Sequence, residues 1–159
     1  MTPSGTILVA TRDVVVRLAP DGDTFHAVRG LDGRSPTFLA AVPGSGGPAW
    51  CGTTDSGVYR SDDDGRSWRP AGLERAHVTA LAVDPSQDGV VWAGTEPSAV
   101  WAGRWDPGTG SDGEAGGVRW ARREGLLDLP SSDDWSFPPR PETHHVRWIA
   151  CHPDDPGRM

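Results

Sequence analysis

The chain has 159 residues and a mass of 16.9 kDa, enough for one mid-sized domain but not for an enzyme with a separate cofactor domain. Glycine and proline contribute 21 and 15 residues, yet eight tryptophans and 36% hydrophobic residues indicate a folded, turn-rich chain. The net charge of −7 does not favour nucleic acid or an anionic membrane as a partner. All 15 basic residues are arginine, which excludes catalysis by a Schiff-base lysine.

Neither a membrane span nor a leader is evident in the sequence. Apolar stretches such as residues 7–10 and 14–16 are too short to cross a bilayer, and the first five residues lack the basic start of a signal peptide. We therefore expect a cytoplasmic protein. The two cysteines, Cys51 and Cys151, form neither a disulfide framework nor a metal-ligand pattern, so no cofactor and no metal site are predicted.

An internal repeat organises the chain. Residues 8–11, 50–53 and 92–95 stand in register at intervals of 42 residues, and residues 37–40 and 79–82 show the same interval. Residues 145–153 resemble residues 77–85 at an offset of 68, because the third unit carries insertions at 106–117 and 129–143. A repeat of this length, built from short runs of β-branched and aromatic residues, predicts four-stranded propeller blades. A solenoid or a sandwich remains an alternative.

We therefore predict an all-β fold, a partial β-propeller of four-stranded antiparallel blades with helix content near nil. The first blade covers about residues 1–34, the second 35–76 and the third 77–144. In the third blade the predicted strands are 78–83, 90–94, 99–104 and 118–122. Residues 145–159 begin a fourth blade, with its first strand at 146–151 and a turn at 154–158.

The second unit contains a sharper motif. Residues 61–68 fit the pattern S-x-D-x-G-x-[ST]-W at Ser61, Asp63, Gly65, Ser67 and Trp68. Asp63 is expected to accept backbone N–H groups across a tight hairpin, Gly65 to adopt positive φ, and the Trp68 ring to pack between neighbouring sheets. The motif predicts a structural turn rather than a binding site.

This motif, with residues 83–85 and 92–95, resembles the BNR/Asp-box repeat family and is similar to bacterial WD40/YVTN/BNR-like propellers. That group also resembles sialidases and sortilin-type domains. Residues 135–140 and 143–148 are similar to a segment of members described as glycosyl hydrolases. The resemblance implies a propeller fold and a ligand site on the face where first strands enter the blades.

Closure of the predicted propeller is incomplete, because such folds have about 4–8 blades and this chain supplies three units and one strand. The chain is expected to be a fragment of a longer protein. The alternative is self-association through open propeller edges.

On the ligand face we predict a cluster of aromatic, charged and imidazole side chains, bordered by Asp55 and Arg75. Prolines at 138, 139 and 141 are expected to hold the aromatic residues at 135 and 137 in an extended presentation. The candidate ligand-binding residues are Glu96, Trp135, Arg140, His144 and Arg147.

Two function classes remain open. The first is a binding or scaffold module for a glycan, peptide or protein ligand. The second is a sialidase-like glycoside hydrolase whose other catalytic residues lie outside this chain. Asp55 and Glu96 are the only two carboxylates that we nominate as a catalytic pair. The alternative is that both are solvated turn residues. The single tyrosine, Tyr59, is predicted to lie away from the ligand face, which does not favour sialoside hydrolysis by this chain.

Five tryptophans fall on repeat strands, where packing between blades is the expected role. They are Trp50, Trp68, Trp92, Trp120 and Trp148. The two cysteines align with small apolar residues of the other units and are predicted to fill space in the core.

Overall fold

A computed structural model describes residues 5–42, 47–108, 116–155 and 158–159. Within these ranges the chain is all-β, with three antiparallel sheets and only two single turns of 3-10 helix, at Glu124–Leu126 and Ser132–Asp134. The predicted near-absence of helix is confirmed. Most of the glycine-rich insertion, residues 109–115, lies outside the described residues, as do residues 1–4 and part of the predicted turn, 156–157.

The first sheet has three described strands rather than the four that were predicted. They are β1 (Ile7–Ala10), β2 (Val15–Asp21) and β3 (Thr24–Gly30), in that order. In the 42-residue register β1 corresponds to the second strand of the other sheets. The four-strand prediction was therefore wrong for this unit, because the described residues contain no counterpart of a first strand.

The second sheet contains β4 (Pro36–Ala41), β5 (Ala49–Thr53), β6 (Val58–Ser61) and β7 (Arg69–Pro70). The third contains β8 (His77–Val83), β9 (Val90–Glu96), β10 (Val100–Asp106) and β11 (Gly117–Arg123). In both sheets each strand pairs with the next along the chain. The four strands predicted for the third unit are confirmed to within two residues at each end.

Residues 146–151 do not form the strand that was predicted for them. Their position on the third sheet is nevertheless defined by two hydrogen bonds at Val146. Its N–H donates to the carbonyl of Thr95 at 3.2 Å, and its carbonyl accepts from Thr79 Oγ1 at 2.7 Å. A β-ladder requires a second extended segment alongside, and none of the described residues supplies one here.

The sheets pack face to face in chain order, with the second sheet between the first and the third. Trp68 of the second unit packs on Gly30 of the first sheet, where an added Cβ would lie 3.1 Å from the ring. Trp120 packs in the same way on Gly72, and its Nε1 donates to the carbonyl of Ala71 at 2.7 Å. Within the described residues no extensive contact joins the third sheet back to the first, so the sheets do not close into a ring.

Burial of the other repeat tryptophans follows this stacking. Trp50 and Trp92 are 1% and 4% exposed, whereas Trp148 is 72% exposed. The prediction that Trp148 is buried between sheets was wrong, because its segment has a sheet on one side only. Trp148 instead meets Phe38 edge to face, with 6.4 Å between ring centroids.

Cys51 lies fully buried in the core between the first and second sheets, beside Val15 and Tyr59. Burial raises the pKa of its thiol to about 12, as is typical of an unreactive cysteine that fills space. Burial also raises the pKa of Cys151, which is only partly covered. No helix of the described chain is long and apolar enough to cross a membrane.

The junction of the second and third sheets also contains a contact that the sequence did not reveal. The Arg60 guanidinium lies 3.6 Å from the ring centre of Trp105, and the Arg69 guanidinium lies 4.7 Å from it. Asp62 forms ion pairs with both arginines. Cation–π contact and charge pairing therefore hold the two sheets together at this edge.

Candidate functional site

Glu96 is the centre of the candidate site. It is the last residue of β9, paired with His77 of β8, rather than a residue of the following turn as predicted. The strand end places its carboxylate under the inserted segment, where the side chain is only 8% exposed. An enclosed carboxylate needs charge partners, because desolvation of an unpaired charge is costly.

Arg140 supplies that partner from the inserted segment. Its Nη1 and Nη2 lie 2.8 Å from Oε1 and Oε2 of Glu96, a bidentate arrangement that fixes both position and orientation. The contact joins residues 44 positions apart in the sequence. It therefore ties the proline-rich insertion to the end of a buried strand.

The insertion itself is folded back rather than extended, contrary to the prediction. The N–H of Arg140 donates to the carbonyl of Phe137 at 2.7 Å, and the N–H of Phe137 donates to the carbonyl of Thr143 at 2.8 Å. Prolines at 138 and 139 restrict φ to values that suit a turn as well as an extended chain. The turn is what brings Arg140 back to Glu96.

Two histidines approach the same carboxylate oxygen. Nδ1 of His77 and of His145 lie 3.6 and 3.9 Å from Glu96 Oε2. His77 and His145 are equivalent in the 68-residue alignment of the repeat, so that alignment was the signal that could have assigned both to the site. Among the described residues no group of three or more His, Cys, Asp or Glu side chains could hold a metal ion.

A cavity of about 500 Å³ opens beside this cluster. Among its lining residues Trp135 and His144 contact each other edge to face, with centroids 5.8 Å apart, and Phe137 and His145 do the same at 4.8 Å. The lining combines these four rings with hydroxyl and charged groups. The remaining lining residues are Ser98, Asp134, Ser136, Pro138 and Arg147.

The structure therefore brings Trp135, His144 and Arg147 to one cavity, while Glu96 and Arg140 form the adjoining ion pair. His145, Ser98 and Asp134 also belong to this region and were not among the predicted binding residues. No sequence motif marks Asp134 as a site residue. It lies at the cavity because the 3-10 turn at 132–134 leads directly into Trp135.

Asp55 and Arg75 were expected to border the cluster. The hydrogen bond of the Asp55 carboxylate within the described structure is with the Ser56 hydroxyl at 3.0 Å, on the turn between β5 and β6. Arg75 lies in the connection before β8, where φ is 68°. Among the described contacts, none brings either residue to Glu96 or to the cavity. Tyr59 is 8% exposed on β6 and lies in the core.

The Ser61–Trp68 turn has a dense hydrogen-bond pattern centred on Asp63. Its Oδ1 accepts from the Ser67 N–H and the Ser61 hydroxyl at 2.8 Å each, and its Oδ2 accepts from the Ser67 hydroxyl at 2.6 Å. The Gly65 N–H donates to Ser61 Oγ at 2.8 Å, and its φ of 80° suits glycine. The hydrogen bonds from Ser67 lower the pKa of Asp63 to about 2.

Neither comparison of this chain, with models of protein families or with curated proteins, finds a match. The geometry above is consequently the basis for any functional conclusion.

Proposed function

We propose that this chain is part of a BNR/Asp-box β-propeller and acts as a binding module for a glycan, peptide or protein ligand. The propeller assignment rests on the 42-residue repeat, on the Ser61–Trp68 motif and on the regular stacking of antiparallel sheets. The binding assignment rests mainly on one observation. The inserted segment is anchored to β9 by the Glu96–Arg140 ion pair and forms a cavity lined by aromatic rings.

The composition of that cavity favours recognition of a partly polar ligand. Trp135 and Phe137 offer flat apolar surfaces, and Asp134, Arg147 and Ser98 offer acceptors and donors around them. Such mixed linings orient a ligand through a few polar contacts while the rings supply most of the contact area. Because the insertion is held by turns and an ion pair, little ordering entropy would be lost on binding.

The same geometry does not favour the hydrolase alternative. Both Glu96 oxygens are engaged by Arg140, so the carboxylate forms an ion pair that anchors the insertion. Asp55 bonds to its neighbour Ser56, and among the described contacts none brings it to Glu96 as the predicted catalytic pair.

The experiment is a direct binding screen of the purified 159-residue chain against a printed glycan array and a random peptide display library. We expect hits from one of these probes to lose at least about tenfold in affinity in the Trp135→Ala variant, the usual effect of removing an aromatic anchor.

The matched control is Trp148→Ala, which removes the same ring from a 72% exposed position that does not line the cavity. Binding in this variant should equal that of the wild type. If Trp148→Ala abolished binding while Trp135→Ala did not, the proposal would be wrong.

A further inference from the structure

The first sheet has an unpaired edge. In the other two sheets a first strand, β4 or β8, pairs with the second, β5 or β9. Strand β1 is the equivalent of β5 and β9, and among the described residues nothing pairs with its outer side. Its backbone N–H and C=O groups on that side are therefore available to another extended segment.

A segment without a strand partner lies at the other end of the described chain. Residues 145–151 contact the third sheet as β8 contacts the second. Thr37 Oγ1 donates to the Val78 carbonyl at 2.5 Å, and Thr79 Oγ1 donates to the Val146 carbonyl at 2.7 Å. This segment thus occupies the place of a first strand, while none of the described residues pairs with it as a second strand.

Two glycines confirm this equivalence. A Cβ at Gly52 would lie 2.6 Å from Val78 Cγ1, and a Cβ at Gly94 would lie 2.5 Å from Val146 Cγ1. The two glycines are 42 residues apart and the two valines 68, which are the offsets of the repeat. The backbone of 145–151 is therefore seated as closely on the third sheet as β8 is on the second.

Within the described residues two sheet faces also lack a neighbouring sheet, and each corresponds to a face that packs on another sheet elsewhere in the molecule. On the first sheet Ile7, Val9 and Phe25 are 47%, 39% and 40% exposed. Val9 is the repeat equivalent of Cys51 and Ala93, which are both 0% exposed where sheets meet. A further sheet packed on this face would bury Val9 in the same way.

The complementary face belongs to the third sheet. It carries a cleft of about 860 Å³ lined by Val90, Trp92, Ala102 and Ala121 together with three arginines and Met159. Trp92, only 4% exposed beneath this cleft, is the equivalent of Trp50, which is buried in the core between the second and third sheets. The Arg123 guanidinium lies 5.2 Å from the Trp92 ring centre, at the rim of the cleft.

We propose that a second copy of this chain fills both vacancies, so that its β1–β3 pack on the third sheet of the first copy and pair with residues 145–151. The register follows from the β8–β9 pairs Leu81↔Ala93 and Val83↔Val91. It places Ile149 opposite Val9 and Cys151 opposite Ile7. One antiparallel four-stranded sheet thus contains strands from both copies.

The partner strand comes from another copy because the second sheet separates the two elements within one chain. The first and third sheets pack on opposite sides of it, so β1 and residues 145–151 of the same copy lie apart. If the exchange is reciprocal, two copies form a closed pair with two identical junctions. This inference does not depend on the proposed ligand.

The first test is the mass of the full chain in solution by light scattering after size exclusion. We expect twice 16.9 kDa at about 100 μM, well above the Kd of a standard-sized interface. A mass of 16.9 kDa at this concentration would overturn the proposal. This holds whether the two sheet faces then bind a different protein or stay exposed to solvent.

The paired variants are Val9→Lys and Val28→Lys. Both positions are valines of the first sheet with nearly equal exposure, 39% and 38%, but only Val9 lies on the proposed contact. Val9→Lys should give the monomer mass with an unchanged circular dichroism spectrum, and Val28→Lys should keep the wild-type mass. Equal behaviour of the two variants would contradict the assigned surface.

The register has its own test in Ile7→Cys. Cys51 is buried, so Cys151 is the natural thiol within reach of the introduced one. Mild oxidation should give a covalently linked species of twice the chain mass, whereas Val28→Cys and the wild type should stay at single mass on a non-reducing gel. Absence of the linked species in Ile7→Cys would overturn the register.

Discussion

Glu96 and Arg140 form a pair in which one partner is enclosed and the other is half in solvent. The carboxylate is 8% exposed and the guanidinium 48%. Loss of the Arg140 guanidinium would leave the enclosed Glu96 carboxylate without its ion-pair partner. Loss of both charged groups would leave no enclosed charge that needs a partner. The effects of substituting Arg140 and Glu96 on the free energy of unfolding should therefore not be additive.

We expect Arg140→Ala to lower the free energy of unfolding by about 1–2 kcal/mol, less than for a fully buried pair because Arg140 is solvated. Adding Glu96→Gln should recover part of that loss. Urea denaturation of the two single variants and the double variant gives the coupling energy. Additive effects would mean that the ion pair does not hold the insertion in place.

Asp63 differs from its neighbour Asp64 in having its oxygens engaged by the turn. In Asp63→Asn the negative charge that strengthens the hydrogen bonds from the Ser67 N–H and hydroxyl would be lost, so stability should fall by about 1–3 kcal/mol. Asp64→Asn is the matched control, since φ at this residue is 59° and asparagine tolerates that conformation. Its effect on urea denaturation should be small, and a larger loss there would contradict our assignment.

The lowered pKa of Asp63 also predicts how stability changes in acid. The pKa falls from 3.8 to about 2 on folding, so the carboxylate stabilises the fold above about pH 4 and this contribution is lost as the pH falls towards 2. Solvent screening reduces the contribution to about 1 kcal/mol. The stability difference between wild type and Asp63→Asn should therefore shrink on acidification. A difference that is constant between about pH 6 and about pH 2.5 would contradict this prediction.

At the scale of strands, close approach of neighbouring sheets depends on glycine at two repeat positions. Gly52→Ala would press a methyl group against Val78 in the core, and we expect a loss of about 1–3 kcal/mol in urea denaturation. Gly94→Ala meets Val146 instead, in a segment held by few contacts. That segment should detach, with little change in global stability.

Detachment can be measured as tryptic cleavage after Arg147, which is exposed. Cleavage should accelerate in Gly94→Ala and return towards the wild-type rate in the double variant with Val146→Gly, which removes both Val146 atoms that the new methyl group would meet. If Gly94→Ala changed neither cleavage nor stability, the segment would not be seated on Gly94.

The repeat predicted the strands of the second and third units well because each strand there has a neighbour in the same unit. It predicted the ends of the chain poorly. Residues 146–151 have the pattern of β8, but a pattern cannot supply the neighbouring strand that hydrogen bonding requires. The sequence predicted Glu96 and Arg140 on one face but not their ion pair, because the pair joins residues 44 positions apart and needs the local Phe137–Arg140 turn.

For the whole molecule, the stacking of the sheets in chain order predicts that their backbone amide protons differ in protection from exchange with solvent. Strand β5 is buried along its entire length and β9 along all but its last residue, whereas β3 is exposed at every residue except Gly30. Amide protons that exchange only by opening of the core should be the slowest, and those on an outer strand should exchange through local fraying.

Hydrogen exchange followed by mass spectrometry should accordingly show peptides from β5 and β9 as the last to exchange, at rates that report global unfolding. Peptides from β3 should exchange orders of magnitude faster, because its opening needs no separation of sheets. Trp120→Phe, which removes the hydrogen bond to the Ala71 carbonyl between the second and third sheets, should accelerate exchange in β5 and β9 but leave β3 unchanged. Uniform protection across all three sheets would instead mean that the molecule opens only as one unit and that the stacking order has no energetic consequence.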